Sequence, residues 1–228
     1  MTWLWSNLDL VGELTLTHLA LSVPAIILSF VVSVPIGWLA HRYRWSRGVL
    51  LALCGLLYAI PSLALLIALP IVTGQRATSP INLVVALTLY GIAVIVRTAA
   101  DAFDAVEPDV RQSATSLGYS SAGRFWGVEL PLAGPVLLSG LRVVIVSTVS
   151  LATIGAVVGV QSLGSLFTDG LQRDIYAEIV TGIVATMLLA IGLDWAAVAL
   201  GRLLMPWSRP NGSARRMALA RVERVDAA

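Results

Sequence analysis

The residues that could do chemistry are few and scattered. Asp101, Asp104, Glu107 and Asp109 form an acidic run, a pattern that in another chain could hold a cation or split into an acid and a base. No His or Cys ligand stands beside them and Pro108 interrupts their helical register, so a solvated helix end at a membrane surface is expected instead. His18 and His41 are single and distant, and neither makes a site. Cys54, the one cysteine, lies in an apolar run, so neither a disulfide framework nor a cysteine metal cluster can be built within the chain. No metal site is expected. All fifteen basic residues are arginines. Without a lysine, the Gly-rich phosphate loop that ends in Lys and Ser or Thr cannot be made.

Two charges differ from the rest, because Arg142 and Asp194 lie inside apolar stretches. A charge in hydrocarbon costs at least ~2.5 kcal/mol on insertion scales, so each must face the bundle or find a partner. Counted from the same membrane face they sit at comparable depth, so they are expected to pair, or each to meet a polar neighbour, and to brace the inner half of the bundle. Tyr58 and Tyr90 also lie in apolar stretches and offer aromatic faces to a cationic solute; their phenols could instead satisfy neighbouring backbone. Pro61, with Pro24, Pro35 and Pro70, removes helical hydrogen bonds and favours bent helices along a gated path.

The elements that position these groups follow from composition. The 228 residues are 57% hydrophobic and 12% charged, with a mean hydropathy of +0.86, which excludes an ordinary soluble domain. Five segments are long and apolar enough to span about 30 Å of hydrocarbon: roughly 14 to 40, 49 to 72, 81 to 100, 132 to 158 and 176 to 200. Helix is the structure that satisfies its own backbone in lipid, so an all-α polytopic bundle with five transmembrane helices is expected. The first segment has no positive region before it and is expected to be retained rather than cleaved.

Arginine sets the orientation. Arg42, Arg44 and Arg47 follow the first span, and Arg202, Arg209, Arg215, Arg216, Arg221 and Arg224 follow the last, which places both regions in the cytoplasm. Residues 1–13 are then an external segment, 14–200 the transmembrane domain, and 201–228 a cytoplasmic tail. The cytoplasmic side also receives a polar insert, about 101–131, in which Arg111, Gln112, Arg124 and Glu129 arrive together among glycines and prolines. Glu107 and Pro108 at a helix start, Asp109 in the first turn and Gly118 as a stop predict a short surface helix. Its small residues suit close approach by a soluble partner.

The spacing inside this insert resembles a family signature. Gln112, Ser113 and Ala114, then Gly118, then Val128, Leu130 and Pro131 match the cytoplasmic motif of bacterial ABC importer permeases, with Gln and Ser in place of the usual Glu and first Ala. The resemblance implies the type I ABC importer permease fold, N-terminus outside and C-terminus inside, in the bacterial cytoplasmic membrane. It implies that these seven residues form the coupling element that docks an ATPase subunit. It also implies that this chain is not an enzyme and binds no cofactor, with ATP and magnesium held by that separate ATPase. An extracytoplasmic substrate-binding protein and a second permease chain, identical or paralogous, complete the expected assembly. Residues 59–71 and 162–195 are similar to permeases for glycine betaine, choline and related osmoprotectants. An ABC permease for another small solute, such as an amino acid, and an ATP-independent transporter are the alternatives.

Overall fold

The computed structural model describes residues 2–208; the expected tail beyond Ser208, with its arginine cluster, lies outside the described residues. Among those residues every regular element is helical. A short α1 (Thr2–Ser6) leads into α2 (Leu8–Arg42), followed by α3 (Arg44–Ala59), α4 (Ser62–Thr73) and α5 (Pro80–Asp104). Then come α6 (Pro108–Ser116) and α7 (Ser121–Arg124), a π-helical turn Phe125–Glu129, α8 (Leu130–Ala152), a 3₁₀ turn Thr153–Val158, α9 (Ser165–Gln172) and α10 (Tyr176–Leu204).

Four helices, α2, α5, α8 with its flanking turns, and α10, are long and apolar enough to cross a membrane singly. The second expected span differs from a straight helix: α3 and α4 together have the required length but bend by 103° at the break between them. Proline alone does not explain that bend, since α2 runs unbroken through Pro24 and Pro35. At the break both Ile60 (ψ 128°) and Pro61 (ψ 130°) are extended, the first as expected for a residue that precedes proline. The helix ladder stops at Ile60, and the Tyr90 hydroxyl of α5 donates to the freed Ile60 carbonyl. A hydrogen bond from a neighbouring helix therefore makes the break tolerable in an apolar setting.

The core is built by α5, which packs along α2 on one side and α8 on the other. In lipid, helix association depends on close packing rather than on expelling water, so small residues mark the contacts. A Cβ placed on Gly37 would lie 2.4 Å from the Ala99 Cβ, and one on Gly91 would lie 2.5 Å from that of Ser29. Thus α2 and α5 nearly touch backbone to backbone at two levels. One apolar cluster, with Leu21, Leu66, Leu83 and Leu87, fills the half of the bundle away from α6. Another, with Val34, Ile95, Phe103 and Leu137, fills the half nearer α6. The connection from 159 to 175 is not a loose loop: Val160, Ser162, Leu163 and Leu166 are buried, and α9 packs on α10. By contrast, only 6% of the apolar window of α10 is buried within this chain.

Candidate functional site

The segment between α5 and α8 folds back on the ends of the spans rather than hanging free. Pro108 opens α6 after Glu107, where a missing N–H costs nothing. At the other end Gly118 adopts φ 86°, its N–H bonds the Thr115 carbonyl at 3.0 Å, and the Tyr119 N–H bonds the Ala114 carbonyl at 3.2 Å. These two bonds around a left-handed residue form a Schellman stop. A Cβ on Gly118 would meet nothing within 4 Å, so glycine is favoured here by backbone conformation and not by crowding.

Within the signature, Gln112 and Ser113 are exposed, whereas Ala114 is buried. The small-residue face is therefore shared: Ser113 faces out, while Ala114 lets α6 lie close to its own chain. Val128, Leu130 and Pro131 are half-buried at the junction where the π-helical turn passes into α8. Leu117 at 78%, Trp126 at 68% and the half-exposed Tyr119 project from the same region. These three apolar groups were missed by reading the signature alone. A Leu and two aromatics inside a polar insert were the available signal.

Side chains tie α6 to the spans. Arg111 donates through Nη2 to the Phe103 and Val106 carbonyls, both at 2.6 Å, so the start of α6 is clamped to the last turn of α5. Arg124 donates through Nη1 to Thr115 Oγ1 at 3.0 Å and through Nε to Glu129 Oε1 at 2.8 Å. Glu129, 2% exposed, also accepts from Trp38 Nε1 at 2.8 Å. A buried carboxylate with two donors is satisfied where an unpaired one would be costly. The chain Thr115, Arg124, Glu129, Trp38 thus runs from α6 to the last turns of α2, and the Trp38 ring packs edge-on against Phe125 at 5.2 Å.

The acidic run divides. Asp101 and Asp104 at the end of α5 both meet Arg47 of α3, and Asp104 also meets His41; Glu107 and Asp109 flank the start of α6. Arg142 and Asp194 are brought together in a bidentate pair, Nε to Oδ1 at 2.7 Å and Nη2 to Oδ2 at 2.8 Å, linking α8 to α10. Such a fork-to-carboxylate match is the geometry guanidinium favours. Tyr58, Pro61 and Tyr90 also converge: the two rings stand edge-on at 6.1 Å beside the α3–α4 break. Tyr90 is largely buried and spends its hydroxyl on the Ile60 carbonyl, so Tyr58, which is exposed, is the freer aromatic face. His18 is buried in α2 and donates through Nε2 to the Val149 carbonyl at 3.0 Å. It joins none of the groups above.

The described residues form a bundle of helices long and apolar enough to cross a membrane, with a structured segment clamped onto the ends of its spans. The chain belongs to the binding-protein-dependent transport system inner membrane component family, whose model matches residues 32–209. It is similar to the osmoprotectant import permease protein OsmW of Salmonella typhimurium, 32% identical over 207 residues that cover 90% of this chain and 96% of that one. It is also similar to the glycine betaine/carnitine/choline transport system permease protein OpuCD of Bacillus subtilis, 30% identical over 197 residues, 86% of this chain and 85% of that one. In three dimensions it matches a chain of the MetNI methionine ABC transporter, solved in inward-facing conformations, with a TM-score of 0.76 at 20% identity over 87% of this chain and 98% of that one. The fold is that of an ABC importer permease of the inner membrane, a family whose members are transport subunits and not catalysts.

Proposed function

We propose that this chain is the membrane-spanning subunit of an ATP-driven importer for a small osmoprotectant of the quaternary-amine type, with ATP hydrolysed by a separate subunit that docks on α6. The carrying observation is α6 itself, a capped helix that presents Gln112, Ser113 and Leu117 outward while Arg111 and the Arg124–Glu129–Trp38 chain fix it to α5 and α2. A partner that moves α6 must move the spans with it. The names borne by the two relatives support the solute class. The arginines after α2 support a cytoplasmic position for this end. Tyr58 beside the break at Pro61 is the aromatic face placed to meet a cationic solute. A binding protein delivers the solute on the opposite side, and a second permease chain covers the apolar surface that α10 leaves open. ATP binding draws two ATPase subunits together, the docked α6 helices follow, and the bundle exchanges one accessible side for the other.

The test pairs uptake with docking. Labelled glycine betaine, choline and carnitine are offered to a host without its own osmolyte transporters that expresses this chain with its ATPase and binding protein. Uptake of at least one is expected, together with a roughly tenfold or larger loss of ATPase affinity in Leu117→Ala and Trp126→Ala, as for apolar anchors at an interface. Normal docking with uptake of none of the three would overturn the solute class. Full ATPase affinity in both variants would overturn the docking surface.

A further inference from the structure

Behind the docking helix lies a cavity lined in part by the side chains that fix α6 to the spans. A cavity of about 300 Å³ between the end of α2 and the α6 to α8 segment is lined by Trp38, His41, Arg42, Arg111, Arg124 and Glu129. Three guanidinium groups there face one carboxylate, and that carboxylate is already engaged by Arg124 and Trp38. His41 is turned to Asp104, which Arg47 also holds. The positive charge left over belongs to Arg42 and Arg111. The Arg42 side chain forms no ion pair or hydrogen bond among the described residues, and its guanidinium carbon lies 5.6 Å from the centre of the Trp38 ring. Arg111 commits Nη2 to two carbonyls, yet its Nε is buried without a partner. Three guanidinium groups against one engaged carboxylate leave a surplus of positive charge along this lining, which favours an acceptor that carries negative charge.

We propose that this cavity binds a phosphate group, with the Arg42 guanidinium as donor, the Arg111 guanidinium beside it as a second positive charge, and Arg124 and Trp38 as its walls. The planar, permanently charged fork of arginine suits phosphate oxygens. The phosphate has two possible carriers, an anionic phospholipid headgroup or a free phosphate in solution. The lipid source rests on the cytoplasmic placement proposed above, since α2 ends here at headgroup depth and arginines near that surface attract anionic lipid. Occupancy would join the end of α2 to the first turn of α6 through one shared anion, so the bound group would set how firmly the docking helix is held.

The test uses the assembled complex in lipid nanodiscs, and neither readout depends on the transported solute. Native mass spectrometry compares lipids retained from phosphatidylglycerol and phosphatidylcholine discs. Thermal stability in pure phosphatidylcholine is compared with inorganic phosphate against chloride at equal ionic strength. Retained phosphatidylglycerol that falls about tenfold in Arg42→Gln and Arg111→Gln, and is partly kept in Arg42→Lys, identifies the headgroup. A phosphate-specific stabilisation lost in the same two variants, without lipid retention, identifies the free anion. Neither effect, or equal effects in Arg42→Gln and the parent, overturns the proposal. So does binding that occurs in the isolated chain and vanishes when the ATPase docks, because a partner carboxylate would then own the cavity.

Discussion

Replacing Gly118 isolates the part that backbone conformation plays in docking. At φ 86° an L-residue with a Cβ is strained by about 1–2 kcal/mol, while Asn tolerates the left-handed region far better. No atom lies within 4 Å of the position a Cβ would take, so side-chain size adds nothing from within this chain. The strain acts against the two bonds that stop α6, Gly118 N–H to Thr115 and Tyr119 N–H to Ala114. A cost of 1–2 kcal/mol corresponds to a factor of about 5–30 in the population of the stopped helix. If docking requires that helix, ATPase affinity falls by the same factor. The assay is titration of purified ATPase subunit onto the permease in nanodiscs, for Gly118→Ala, Gly118→Val and Gly118→Asn. The expected order is Asn near the parent, Ala weakened about 5–30-fold, and Val at least as weak as Ala. Equal loss for Asn and Val would mean that the partner presses directly on residue 118, and the conformational account would be refuted.

Three further outcomes are expected. Arg142→Ala and Asp194→Ala should each lower the unfolding temperature in detergent, and the double variant should fall no further than the worse single one; simple addition would show that the two do not act as a pair. Gly37→Val should destabilise by about 1–3 kcal/mol, because its Cβ would overlap Ala99 and approach the Ala100 backbone nitrogen at 2.9 Å; thermal unfolding that matches the parent would show that α2 and α5 can separate freely. Tyr90→Phe should cost about 1 kcal/mol through loss of its bond to Ile60, and hydrogen exchange should rise at residues 60–65 before it rises elsewhere.

How much of this was legible in the sequence depends on how far apart the partners lie. The span positions followed from hydropathy, and α6 followed from Pro108 and Gly118, because both signals are local. Arg142 and Asp194 could be matched across 52 positions, since few intramembrane charges compete for each other. Glu129 offered no such cue. Its partner Trp38 lies 91 residues away, and a Glu in a polar insert looks like any solvated acid. The α3–α4 bend was hidden for a related reason. Pro61 carries the same local signal as Pro24 and Pro35, and the hydroxyl that caps the broken end arrives from α5. Of the two small residues expected on the outward face of α6, Ser113 is exposed and Ala114 is buried, a division that spacing along the chain does not reveal.

The clamp of Arg111 on the last turn of α5 has a mechanical meaning. At 1.5 Å per residue the 25 residues of α5 form a rod of about 37 Å, gripped near its middle by Ser29 at Gly91 and further along by Gly37 at Ala99. The first turn of α6 is therefore joined through Arg111 to one continuous helix that is seated closely against α2. Among the described spans the sharp joint is the one at Ile60 and Pro61, and Tyr90 pins that joint to the same helix.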